Sequence, residues 1–373
     1  MALSRKLALS ALSGAVFVAA GELVLRGVGF EHPALRDPIV VWDAQNDKEL
    51  HSEEGLHRVS PTCLWEPRPG ARVPWGAAED ERIATDTRRG PLRPEHAPAG
   101  VLRIVALGDS STFGWGEPYS NSYCAQLEGL LAERGLPSEV VDLGVIGYTV
   151  RQGLERWREL GRAQHPDVVI AAFGAVNDHL AAVDLADDLR IAQSRERLDP
   201  LRMRAEWVRD HSRLVHLGAR VIEGPLPLAA ERRKQWFDRW EAQRAHEPRL
   251  GFTDYAGVRR VDLRLFEATL VELRRDVEAA GAKLVLVCMP RQRDFEMQNP
   301  ILVDYSELVR RHAREQGLDC IDAHAAFRDR ARVELRGLPL FHDMVHPTAA
   351  GHRLIAEDLA AAIAARAGAG EPR

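Results

Sequence analysis

The sequence predicts an α/β fold, a three-layer α/β/α, flavodoxin-like domain built on a central parallel sheet. Three observations predict it. Five short, mostly apolar runs occur at 101–107, 139–143, 167–173, 283–289 and 318–322, and the longer ones lack the apolar/polar alternation of a sheet with one wet face. Stretches with helical spacing separate the runs, so strand and helix alternate as in right-handed βαβ units. The first three runs end in glycine or polar turns, at the strand ends where open α/β sheets bind their ligands.

Val101 to Leu107 reads as a buried strand that delivers Ser110 to a tight turn, Gly108-Asp109-Ser110, with helix resuming near Ser120. Tyr123 to Arg134 has helical spacing and stops at Gly135-Leu136-Pro137. Glu139 to Leu143 is the second strand, leading into the turn Gly144-Val145-Ile146-Gly147, and Val150 to Arg162 is helical. Asp167 to Phe173 is the third strand and ends at Gly174-Ala175-Val176-Asn177-Asp178. From His179 to about residue 260 the rhythm is interrupted by charged, helix-prone sequence, expected to be a helical, cap-like insertion. Its Trp207, Trp236, Phe237 and Trp240 are read as packing against the sheet, with a substrate groove as the alternative. Val261 to Ala280 is an amphipathic helix, Lys283 to Met289 the fourth strand, Tyr305 to Gln316 a helix, Leu318 to Asp322 the fifth strand and Thr348 to Ala365 the terminal helix.

Residues 100–370 thus form the main domain. Residues 27–99, rich in Pro, Arg and Gly, read as a linker with a few accessory strands around clusters such as Pro38 to Trp42 and Leu64-Trp65. Residues 1–26 differ: Arg5 and Lys6 precede an apolar run broken late by Glu22, the pattern of an export signal or a membrane anchor. The favoured expectation is an anchor through residues 7–25 that places the remainder on the extracytoplasmic side; the alternatives are secretion after cleavage near Val18-Ala19-Ala20 and a buried N-terminal helix of a cytosolic protein. With 28% charged residues and a net charge of -5, nucleic acid is not an expected partner. The many arginines are interleaved with acids and read as solvated helix faces. Cys63, Cys124, Cys288 and Cys320 show no C-x-x-C spacing, so no metal site is expected.

Nucleophilic acyl transfer needs a serine, a histidine to take its proton, a carboxylate to orient the imidazole, and donors for the developing oxyanion. Ser110, His346 and Asp343 supply the first three, each beside a predicted strand or helix end. Alone, the Ser110 turn also reads as a helix N-cap, and Asp343-Met344-Val345-His346 as a surface turn before the last helix. Four blocks in order change that reading. Gly108-Asp109-Ser110-Ser111-Thr112-Phe113-Gly114, Asp142-Leu143-Gly144-Val145-Ile146-Gly147, Asn177-Asp178 and Asp343-Met344-Val345-His346-Pro347 together resemble the SGNH (GDSL-type) hydrolase superfamily.

The resemblance implies Ser110 as nucleophile, His346 as general base and acid, and Asp343 as its orienting carboxylate. It also implies an oxyanion hole formed by the N–H groups of Ser110 and Gly147 and the side-chain amide of Asn177. Two departures stand out: Asp142 occupies a position that is usually asparagine, and Ala175 a position that is usually glycine, with Gly174 one residue early. His179, next after the third block, is read as a structural hydrogen-bonding residue, with substrate contact as the alternative.

The implied function is an exported or membrane-anchored serine esterase that cleaves carboxylic esters of small molecules, glycans or lipids through an acyl-enzyme, without metal or organic cofactor. The same residues allow acyl transfer to a sugar hydroxyl, and a catalytically silent glycan- or lipid-binding module is the alternative of a different class. No G-x-S-x-G is present, which argues against the other α/β-hydrolase elbow.

Overall fold

The computed structural model describes residues 2–30, 56–73, 81–180, 186–196, 208, 212–223, 259–333 and 339–368. Helix α1 (Ala2–Gly27) opens the chain. Strands β1 (His57–Ser60) and β2 (Leu64–Pro67) pair antiparallel as a small hairpin. β3 (Leu102–Gly108) then begins the main sheet and runs directly into a short helix, α2 (Ser110–Phe113). α3 (Tyr123–Glu133) is N-capped by Ser122, whose hydroxyl accepts the Ala125 N–H at 3.3 Å. β4 (Ser138–Asp142) follows, and then α4 (Val150–Arg156), opened by a reciprocal Thr149–Gln152 capping box. β5 (Val168–Ala172) comes next, and α5 (Asp187–Glu196) and α6 (Arg213–Glu223) lie in the inserted stretch. The core resumes with α7 (Leu263–Ala279), capped by Asp262, and β6 (Lys283–Val287). α8 (Arg293–Gln298), α9 (Ile301–Gln316), β7 (Asp319–Ile321), α10 (Ala323–Val333) and α11 (Ala349–Gly368) complete the order.

The main sheet is parallel throughout, in the order β4-β3-β5-β6-β7. All five predicted strands are present. Residues two apart in a strand share a face: Ile104 and Ala106, Val168 and Ile170, and Val285 and Val287 pack with Leu127 and Leu131 of α3 and Ile355 and Leu359 of α11. Helices α4, α7 and α9 pack among themselves and against β3, β6 and β7, which makes the three-layer architecture. In this strand order the chain reverses direction across the sheet between β3 and β5, so the loops after those two strands flank the crevice where such folds hold ligands.

Three helices escape the sequence reading. α2 starts at Ser110 itself, not near Ser120, because Asp109 caps it: its carboxylate accepts the Ser111 N–H at 2.9 Å. α8 and α10 are short and follow strand ends without a long apolar period. The predicted helix at 150–162 is α-helical only to Arg156, then π-helical over Trp157–Gly161. The arginines also depart from expectation: Arg89, Arg103, Arg156 and Arg260 are at most 1% exposed. Each donates to main-chain carbonyls, Arg156 to that of Thr87, and Arg89, Arg103 and Arg260 also pair with Glu81, Glu139 and Asp187; bonding and pairing together carry a guanidinium inside.

The chain divides into two compact units, Met1–Ala44 with Arg195–Glu241, and Gln45–Ser194 with Ala242–Arg373. The insertion expected at 179–260 is therefore split, its middle grouping with α1. In the smaller unit Glu22 of α1 caps α6, accepting from the N–H groups of Arg213 and Leu214 at 2.8 and 3.1 Å and from the Ser212 hydroxyl at 3.1 Å. Among the described residues no helix is long and apolar enough to cross a membrane. Trp207, Trp236, Phe237, Trp240 and Pro38 to Trp42 lie outside the described residues.

Candidate active site

The carboxyl ends of β3 and β5 and the loop before α11 bring distant residues together. Ser110 is the first residue of α2 and 5% exposed. Its Oγ lies 2.7 Å from Nε2 of His346, whose Nδ1 lies 2.6 Å from Oδ2 of Asp343. The carrying loop folds back on itself through a His342 N–H to His346 carbonyl bond of 2.9 Å. It is tied to its surroundings by the Gln292 N–H on the Met344 carbonyl at 2.8 Å and by Ser111 Oγ on the Val345 carbonyl at 3.4 Å. The Trp115 ring lies against His346, with centroids 4.4 Å apart and planes 30° apart.

The proton positions follow from the charge on Asp343. Burial pushes this carboxyl up, but the His346 hydrogen bond and the N–H groups of Val345 and His346 outweigh it and hold the group down at about 2. It is thus a carboxylate and accepts only. Nδ1 of His346 therefore carries a hydrogen, and when the ring acts as a base its Nε2 accepts from the Ser110 hydroxyl. A serine hydrogen-bonded to an oriented neutral imidazole is an activated nucleophile.

Asn177 is 4% exposed and donates its amide to Asp109 Oδ2 at 3.3 Å, directly beside the nucleophile. Burial pushes the Asp109 carboxyl up, offset in part by the Ser111 N–H. Gly147 sits in the β4–α4 loop at φ +79°, a left-handed conformation that favours glycine. That loop lies on α2: a Cβ on Gly144 would stand 2.5 Å from the Phe113 nitrogen. Gly174, one residue before Ala175, adopts φ +85°, a left-handed conformation that favours glycine. Asp178 has a bracing role, accepting from the N–H groups of Val150 at 2.8 Å and Gly174 at 3.0 Å, and burial pushes it up to about 7. His179 is buried, its carbonyl accepting from Arg259 at 2.6 Å, and burial helped by Arg259 lowers its ring to about 3.

A model of the GDSL-like lipase/acylhydrolase family matches residues 106–354. The chain belongs to that family. As a member it is a serine hydrolase that acts on ester bonds. No curated protein matches the chain. Among solved structures it is similar to Axe2, an acetylxylan esterase from Geobacillus stearothermophilus, with 21% identity over 69% of this chain and 92% of that one and a TM-score of 0.42. It is also similar to LAE5, an alpha/beta hydrolase from the metagenome of Lake Arreo, Spain, with 21% identity, 70% and 94% coverage and a TM-score of 0.43.

Around the site stands a set of positioning groups that sequence reading missed. Arg89 donates to the carbonyls of Phe113, Gly114 (2.8 Å) and Glu117 (2.6 Å), which end and follow α2, and its charge is met by Glu81. Cations at helix C-termini are favoured by the macrodipole, so Arg89 fastens the helix that presents Ser110. Arg260 donates to the Gly147 carbonyl at 2.9 Å and to Gln152 at 2.7 Å, and pairs with Asp187 at 2.7 Å. The Trp65 indole N–H holds the neighbouring Ile146 carbonyl at 2.9 Å, and the Tyr148 hydroxyl returns to the Trp65 carbonyl at 2.6 Å. The accessory hairpin thereby clamps the Gly147 loop. The one sequence signal for it was the apolar pair Leu64-Trp65 in a polar stretch.

Proposed function

We propose that the protein hydrolyses carboxylic esters through an acyl-enzyme on Ser110. The supporting observation is the unbroken hydrogen-bonded series from Ser110 Oγ through His346 to Asp343, at 2.7 and 2.6 Å. In the forward step Oγ bonds to the ester carbonyl carbon while its proton passes to Nε2 of His346. Asp343 keeps the resulting imidazolium oriented. The oxyanion is received by the N–H groups of Ser110 and Gly147 and by Nδ2 of Asn177, groups that the surrounding hydrogen bonds already orient. Preorganised donors of this kind need no rearrangement when charge develops. The imidazolium then protonates the departing alkoxide as the carbon–oxygen bond breaks. Water, deprotonated by His346, releases the acid and restores Ser110.

We further propose that the enzyme works outside the cytoplasm, held by α1. Arg5 and Lys6 ahead of the apolar run support this, as do the exposed Val16, Phe17, Val18, Leu23 and Val24. Glu22, the one acid in that run, is occupied in capping α6. Fractionation of cells expressing the full chain tests it: recovery in the cytosol without membrane material rejects it.

The catalytic reading is tested with a fluorophosphonate probe and a short-chain p-nitrophenyl ester on the full-length protein and Ser110→Ala. Adduct and turnover on wild type, both absent from a folded Ser110→Ala, are expected. An adduct on the variant, or none on folded wild type, overturns it.

A further inference from the structure

Away from the triad, at the amino ends of β3 and β5, Glu95, His96 and His165 converge. One ligand atom from each lies within 4.8 Å of the others, and all three residues are exposed. The two imidazoles face each other with centroids 4.5 Å apart and planes 34° apart. We propose that these three side chains form a binding site for a divalent transition-metal ion of the zinc, nickel, copper and cobalt class.

Two segments far apart in sequence are held in place by one buried group. The Arg103 guanidinium donates to the Pro94 carbonyl at 3.0 Å and to the Gln164 carbonyl at 3.3 Å, the residues immediately before Glu95 and His165. Glu139 pairs with the same guanidinium at 2.7 Å, and Arg103 is fully buried. His165 itself adopts φ +47° and ψ +55°, a left-handed conformation that histidine, like asparagine and aspartate, takes more readily than other non-glycine residues.

Imidazole nitrogen with one carboxylate is a donor set for borderline divalent ions, not for magnesium or calcium, which take oxygen. Metal–nitrogen bonds of about 2.0–2.1 Å put tetrahedral donor atoms roughly 3.4 Å apart. The donor atoms lie within 4.8 Å of one another, and rotation of the exposed side chains closes the difference. Three protein ligands leave a position for water. The ion would join the segment entering β3 to the turn entering β5, so the site is a structural clasp, remote from the ester chemistry.

The test uses untagged full-length protein titrated with Co2+ and followed by its visible absorption, in parallel with thermal unfolding with and without Zn2+. Wild type should bind one more equivalent than His96→Ala/His165→Asn, in which Asn tolerates the left-handed backbone, or show at least tenfold tighter binding. Only wild type should gain thermal stability from Zn2+. Ester hydrolysis should be equal in both proteins and insensitive to chelator, which also shows that the variant is folded. Equal Co2+ stoichiometry and affinity in the two proteins, or no binding to wild type, overturns the proposal.

Discussion

Replacing Asp142 with asparagine is expected to stabilise the enzyme increasingly as pH rises. Asp142 ends β4, is fully buried, and accepts the Gly144 N–H on Oδ1 at 2.9 Å, which shapes the turn leading to Gly147. Burial pushes its carboxyl from 3.8 up to about 7, against the Gly144 N–H and the charges of Arg89 and Arg156, which pull it down. The folded state therefore binds a proton that the unfolded chain has already lost between about pH 4 and 7. Stability from this group is fully present below the unfolded value and is lost as pH climbs to the folded one. A rise of about three pK units corresponds to a loss on the order of 4 kcal/mol, more than half of it between roughly pH 5 and 8. Asparagine keeps the Oδ1 acceptor and cannot ionise. Urea or thermal unfolding of both proteins at pH 5 and pH 8 should show the variant's advantage growing by several degrees in Tm across that range. Asp178, also pushed up to about 7, is common to both proteins and cancels in the difference. A stability difference that does not change with pH would refute the assignment of a buried, protonated Asp142.

Asp343→Asn removes the carboxylate that fixes the His346 tautomer, and kcat should fall by about 10⁴-fold with the fold intact; a loss below tenfold in steady-state kinetics would contradict the role. Asn177→Ala should lower kcat by about 10²- to 10³-fold with little change in KM, and a change confined to KM would place Asn177 in substrate binding instead. Gly144→Ala should cost about 1–3 kcal/mol in unfolding and lower kcat as well, because the new Cβ would meet the Phe113 backbone nitrogen at 2.5 Å and a backbone atom of the nucleophile helix cannot step aside alone.

Much of the fold was legible because it is locally encoded. VLRIVAL, DVVIAAF and KLVLVCM have no polar alternation, so they announce strands buried on both faces. Gly135 and Gly317 end α3 and α9 in left-handed turns at φ +75° and +64°, as a helix-stopping glycine should. Loop ends carrying Ser110, Asn177, Asp343 and His346 were visible for the same reason. The start of α2 was legible only as one of two readings, because a cap and a nucleophile use the same residue types and Ser110 follows its capping residue directly. The break after β5 was visible, but its closure was not: Arg260 and Val261 return to bond the carbonyls of Leu180 and Asp178 at 2.8 and 3.0 Å.

The sequence alone determined the order of strands and helices, the parallel sheet that their alternation requires, and the residue types placed at the strand ends. Only the tertiary structure decided which arginines are inside. Arg89 and Arg260 look like any surface arginine in the chain, yet they satisfy carbonyls of α2 and of the Gly147 loop that lie 25 and 113 residues away. Apolar periodicity records whether a residue faces a core, because burial of apolar area is a local, additive preference. A buried donor is instead fixed by the particular acceptors it must reach. Those acceptors exist as partners only once the sheet has brought the loops together.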